Sequence, residues 1–323
     1  MWYVKMYFSG DKELFEYDAS GMQGEPAERQ EFPFLESLLS FQELECEAVV
    51  STLEHIYNNW ELRITENNRQ AGTDAMVTLS ELASRHIYFK LLYVRWFDRF
   101  ARMGAHGDCG IPEDHQMLSE LKEVMEQLPQ YQKQIQKFFE LVLDVDQAGR
   151  DPQKQAWSNY YHNEPKDPEL FKFRPIPVSF EPTEEGRCSP VLYSASILDM
   201  IDYSLRTCVE RDITVRRCKN CGRWFPQMVR VSAEYCERPV PKGQEVCREI
   251  GALRQWTKKQ SDDPIFKIYR REYKRRFARI KAGDFTDKAF YAWSERAREE
   301  KKKCDRGIIT LEEFKQWLSE SKI

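Results

Sequence analysis

Four of the nine cysteines fall within thirty residues: Cys218, Cys221, Cys236 and Cys247. The pair Cys218-x2-Cys221 lets two thiolates point at one ion from a tight turn, and Gly222 follows where a positive φ is often needed. Two distant cysteines then complete a tetrahedron with zinc–sulfur bonds of about 2.3 Å. All five histidines (His55, His86, His106, His115 and His162) precede residue 163, so a local site must be built from cysteines alone. Thiolates favour zinc over the hard cations. Four protein ligands leave no open position, so the zinc this spacing predicts is structural rather than catalytic. The alternative is four buried thiols that merely share a neighbourhood.

A zinc tetrathiolate carries a formal charge of −2. Arg216, Arg217, Lys219, Arg223, Arg238, Lys242 and Arg248 surround the cysteines in sequence and are expected to offset it. Cys247 opens "CREIGALRQWTKK", which reads as a helix whose N-terminal dipole and free N–H groups favour a thiolate. A C-x2-C turn leading into a hairpin, with the last ligand on a helix, is a treble-clef-like plan. Trp224 and Phe225 are expected to pack on the knuckle.

Cys218, Cys221, Gly222, Phe225, Tyr235 before Cys236, and Cys247 resemble the bacterial CGNR-type zinc-finger family, as does the helix entering "VRRC". The resemblance covers residues 190–260. It implies a DNA-binding transcriptional regulator, a family role often paired with an acidic helical N-terminal domain. The chain departs from the family at "PQMVRVSAEY", which holds one arginine where an arginine-dense run is usual. It departs again at "CREIG" in place of "CGNR", after a longer insert.

Behind the cysteines, "PIFKIYRREYKRRFARIKAG" (264–283) interleaves an apolar stripe of Phe266, Tyr269, Tyr273, Phe277 and Ile280 with a stripe of Lys267, Arg270, Arg271 and Lys274. Arg275, Arg276, Arg279 and Lys281 flank the latter. Lys267, Arg270, Arg271, Lys274 and Arg275 are the candidate phosphate contacts of a nucleic-acid-binding helix. The competing reading is a solvated helix face whose apolar side packs on the zinc module. Residues 211–323 hold 29 Lys and Arg against 17 Asp and Glu, a net +12, and residues 1–210 hold 20 against 36, a net −16. Such asymmetry fits DNA as partner of the basic part. It fits equally an acidic protein partner or the chain's own N-terminal domain.

No sequence motif of an enzyme stands out: there is no Walker loop, G-x-G-x-x-G, G-x-S-x-G or H-E-x-x-H. "HGDCGIPEDH" (106–115) gathers His106, Asp108, Cys109, Asp114 and His115, but its Gly, Pro and Asp read as an inter-helix loop. His86, on an apolar stripe, reads as a core histidine. Cys46 and Cys208 lie on apolar stripes, and Cys109, Cys188 and Cys304 have no partner spacing, so all five read as ordinary thiols. An enzyme built from scattered carboxylates in the N-terminal part remains the third functional reading, after nucleic-acid binding and a protein-interaction module.

The elements that position these residues are mostly helices. Charged residues make up 32% and aromatics 13%, a globular composition. The start lacks a signal peptide's long apolar region, and no window approaches 18 uncharged apolar residues, so a cytoplasmic, reducing compartment with no membrane span is expected. A strand is expected at Trp2–Phe8 and helices at 36–62 and Thr73–Met103, the latter apolar on all faces and so central. Further helices are expected at 113–128 and 129–146, with Pro129 as kink or break. Residues 151–190, rich in proline and aromatics, read as an irregular packed segment with an edge strand at Ile176–Phe180. Ser189-Pro190 is expected to cap a helix running to about Cys208. Three helices follow the cysteines: Pro264–Lys281, Thr286–Lys303 and Leu311–Ser319. The expectation is a mainly α protein: an acidic helical domain over 1–188, then a basic treble-clef-like four-cysteine zinc module with a helical extension over 189–323.

Overall fold

The computed structural model describes residues 4–18, 27–106, 109–146, 153–163, 166–182, 188–228, 232–240, 245–281, 283–284 and 286–321. Helices dominate. The chain forms two compact units, one of Met1–Arg217 with Arg223–Ala233, the other of Cys218–Gly222 with Glu234–Ile323.

The first unit carries a sheet that the sequence hardly announces. β1 (Val4–Ser9), β2 (Lys12–Tyr17), β3 (Glu28–Pro33), β4 (Val178–Pro182) and β5 (Cys188–Leu192) pair antiparallel in the order β3-β2-β1-β5-β4. β1 alternates as half-buried strands do, with Val4, Met6 and Phe8 inward. β4 is an edge strand, as expected. β5 replaces the start of the helix expected at Ser189-Pro190. Pro190 is tolerated in this inner strand because β1 pairs only with Val191 and Leu192, so no bond is missing where proline lacks its N–H.

Helices pack against the sheet and one another: α1 (Glu36–Gln42), α2 (Cys46–Thr65), α3 (Arg69–Ala83), α4 (Ile87–His106), α5 (Pro112–Phe138), α6 (Gln153–Asn163) and α7 (Ile197–Glu210). The single helix expected over Thr73–Met103 is two, α3 and α4. The break at Ser84–His86 is closed by His86, whose Nδ1 accepts the Tyr88 N–H at 3.1 Å. An apolar pattern on every face hides such a corner, because no period is interrupted. α4 is central, as its pattern implied: Tyr88, Phe89, Leu91, Leu92, Val94 and Trp96 are buried. α5 runs unbroken through Pro129 and continues as a π-helical turn at Phe139–Leu143. The proline-rich segment contains α6, which was not expected. Its Trp157 and Tyr160 join Phe138, Phe171 and Phe173 in one aromatic cluster. α7 begins at a Ser196 cap that accepts the Asp199 N–H. Its Ile197, Met200, Ile201 and Leu205 belong to the large core, so the structure groups residues 189–217 with the N-terminal body. A short hairpin, β6 (Val215–Arg217) and β7 (Trp224–Pro226), completes this unit.

The second unit holds the remaining helices: α8 (Cys247–Asp262), α9 (Pro264–Lys281), α10 (Asp287–Asp305) and α11 (Leu311–Glu320). Asp263 caps α9, accepting from the N–H groups of Ile265 and Phe266. Thr310 and Glu313 form the capping box expected from sequence. Phe290, Trp293, Ala297, Phe314 and Leu318 form this unit's own core, against which Ile268, Tyr269, Tyr273 and Ile280 of α9 pack. No helix among the described residues is long and apolar enough to cross a membrane.

Candidate metal centre and basic helix

The sulfurs of Cys218, Cys221, Cys236 and Cys247 all lie within 4.8 Å of one another. None is in a disulfide. A tetrahedral ion with metal–sulfur bonds of about 2.3 Å separates its sulfurs by about 3.8 Å. Cys221 Sγ and Cys236 Sγ stand 3.7 Å apart. The arrangement therefore suits one four-coordinate metal ion with no open position.

Local chemistry explains the convergence. Gly222, at φ 75°, lets the knuckle close, and its N–H donates to Cys218 O at 2.8 Å. Lys219 N–H donates to Glu234 O, drawing the approach to Cys236 alongside. Residues 238–240 and 245–247 lie side by side: Pro239 bridges Val246, Val240 N–H donates to Glu245 O, and Cys247 N–H donates to Arg238 O. Cys247 is the first residue of α8, and the Glu249 side chain accepts the Val246 N–H just before it. This is the treble-clef-like layout of knuckle, hairpin and helix N-terminus.

N–H donors support the sulfurs. Cys236 N–H points at Cys218 Sγ at 3.4 Å, and Asn220 Nδ2 donates to Cys247 Sγ at 3.2 Å. Burial pushes the Cys218 thiol up, but the N–H groups of Cys221, Cys236 and Asn220 outweigh it and hold the thiol at about 7. Burial and its thiol neighbours push Cys236 up. Of the cations nearest in sequence, Arg216 pairs with Asp146, Arg217 with Glu140, Arg223 with Glu43, Lys219 with Glu234 and Arg248 with Glu237. Lys242 lies outside the described residues. Trp224 is reassigned. It is buried in the first unit's core, 5.8 Å from the Phe139 ring and under the Arg217 guanidinium. An N–H···S bond or an aromatic's choice of core depends on tertiary placement, which cysteine spacing does not encode.

Gly251 was missed as a site residue. A Cβ there would stand 2.2 Å from the Tyr235 ring, so only glycine lets that ring lie on α8 one residue before the third ligand. The signal was legible as an isolated glycine inside a helical pattern beside an aromatic next to a cysteine.

On α9, Lys267, Arg270, Arg271, Lys274 and Arg275 are all exposed. Arg275 pairs with Glu272 at 2.6 Å. Among the described residues no carboxylate pairs with Lys267, Arg270, Arg271 or Lys274. Arg276 has a different job. Buried, it bonds Glu272 and donates to the carbonyls of Leu318 and Ser321, with its guanidinium 4.5 Å from the Trp293 ring. The apolar stripe of α9 packs on α10 and α11, so the expected packing on the metal module is corrected.

The residues gathered at 106–115 make a structural joint. Asp114 is buried against Arg63 at 3.0 Å and accepts the Gly110 N–H at 2.7 Å. His115 is exposed, and Asp108 lies outside the described residues.

Residues 181–323 match the model of a family described as a family of unknown function (DUF6076). No curated protein and no solved structure matches the chain.

Proposed function

We propose that the chain is a zinc-containing nucleic-acid-binding protein of the bacterial transcriptional-regulator kind. Its four cysteines hold zinc to shape the second unit, and α9 presents cations to phosphates. The soft donor set favours zinc over magnesium or calcium, and a closed tetrathiolate gives the ion a folding role. The likeness to CGNR-type zinc fingers supports the same reading.

The observation that carries it is the stripe of Lys267, Arg270, Arg271 and Lys274, exposed and without carboxylate partners among the described residues. The cations span seven helical steps, about 10 Å, comparable to three phosphates along one strand at about 3.4 Å of axis each. Four such contacts give a log–log salt slope of about −3.6. Anisotropy of a labelled duplex against the full chain tests this. Arg271→Glu with Lys274→Glu should weaken binding to every sequence and flatten the slope by about 2. Absence of binding to DNA or RNA at low salt would end the nucleic-acid reading.

One observation favours a second reading, a protein-interaction module with structural zinc. On α8, Leu253 and Trp256 are 63% and 58% exposed, and they stand three residues apart on one face. An acidic, partly apolar protein surface is the partner that such a face and the α9 cations together would suit.

A further inference from the structure

Within the first unit, β3, α1 and the α3–α4 corner surround a cavity of about 460 Å³. That is room for a small organic molecule. Two cations line it, Arg85 at the corner and Lys90 on the first turn of α4. Arg85 is exposed, and among the described residues no carboxylate pairs with it. Lys90 is half-buried, and its ammonium stands 5.9 Å and 5.7 Å from the rings of Tyr17 and Tyr93, with no carboxylate paired to it among the described residues. None of the described lining residues is acidic. Gln30 and Ser80 add hydrogen-bonding groups, and Phe32 and Ile87 add apolar wall. The amide of Ile87, at the helix start, is left over from the cap: His86 takes the N–H of Tyr88 on its ring and those of Phe89 and Lys90 on its carbonyl.

The floor is built and neutral. His86 and Ser37 are buried, and Glu13 lies behind Ser37, accepting its N–H and meeting its hydroxyl. Burial, against the Ser37 bonds, lifts Glu13 to about 8, so it adds little negative charge at neutral pH. The same geometry argues against a serine hydrolase. His86 Nδ1 already accepts the Tyr88 N–H, so Nε2 carries the proton that it directs at Ser37 O (3.0 Å) and Ser40 Oγ (3.1 Å). A nitrogen that donates cannot take the Ser40 proton.

We propose that this pocket binds a small organic anion through a carboxylate or phosphate group held between Arg85 and Lys90, with its body against Phe32 and Ile87. Two uncompensated cations over a neutral floor, next to a helix start, are complementary to such a group. None of its described lining residues belongs to α9, and its test is independent of nucleic-acid binding.

Isothermal calorimetry on the full chain at fixed ionic strength tests it, with inorganic phosphate in one arm and succinate in the other. Saturable binding of either is expected, and the arm that binds more tightly identifies the headgroup. Arg85→Gln and Lys90→Gln should each weaken it about tenfold, the loss of one charge-assisted contact. Lys90→Arg, which keeps the cation, should restore most of it. The Arg271→Glu, Lys274→Glu chain should bind as the parent does. Exposed Arg85 can be replaced without unfolding the unit, which melting curves check. Failure of both anions to saturate would overturn the proposal. So would affinity unchanged by Arg85→Gln, or affinity lost with the α9 substitutions instead.

Discussion

Replacing Glu13 by Gln should change how stability depends on pH. Glu13 is fully buried on β2, where burial, with Glu36 adding to it, lifts its carboxyl from 4.5 to about 8. The native state therefore binds this proton more tightly than the unfolded chain does. Its contribution is complete below pH 4.5 and is lost as pH rises through 8. At about 1.4 kcal/mol per pH unit, the loss is on the order of 5 kcal/mol. His86 works in the opposite sense. Burial, against its bond to Ser37 O, lowers it from 6.5 to about 4, so its contribution is present above 6.5 and is lost as pH falls through 4, on the order of 3 kcal/mol. Between pH 4.5 and 6.5 the two slopes cancel. From 6.5 to 8 Glu13 acts alone, and these two groups lower the parent's stability by about 2 kcal/mol. Gln keeps the acceptor for the Ser37 N–H and cannot ionise. Urea unfolding of both chains, followed by tryptophan fluorescence, should show the parent losing stability relative to Glu13→Gln at one steady slope from pH 4.5 to 8, because His86 titrates in both chains and cancels in the difference. A stability difference that does not vary with pH would refute the reasoning.

Two further substitutions separate structural residues from surface ones. Gly251→Ala should destabilise the second unit by about 1–3 kcal/mol and loosen metal retention, because the Tyr235 ring must move; thermal melting with and without chelator reads both. Arg276→Ala should cost about 3 kcal/mol, since it leaves the Leu318 and Ser321 carbonyls without their buried donor, whereas Arg271→Ala, exposed five residues earlier, should stay within about 0.5 kcal/mol of the parent; equal effects in chemical denaturation would contradict the assignment.

Much of the architecture was legible where local chemistry decides it. The α9 and α11 helices and the Thr310 cap follow from period and capping residues, and the edge strand near Val178 from the proline and aromatic content of its segment. The four cysteines and Gly222 were legible because a knuckle is a local device. The five-stranded sheet was not, because β1 meets β5 across about 180 intervening residues and no local signal reports such pairing. The α3–α4 corner was hidden by an apolar run whose cap is a histidine, a residue that rarely caps. Among the basic residues, sequence could not tell Arg276, spent on Trp293 and two carbonyls, from Arg271, which faces water; both sit in the same charged run.

Metal content of the full chain, purified without added metal, tests the central claim most directly. The account predicts close to one equivalent of zinc per chain. It also predicts that Cys236→Ser lowers that content and destabilises the second unit, since a structural zinc contributes on the order of 10 kcal/mol to folding. Metal-free protein whose second unit melts as cooperatively as the parent would contradict it.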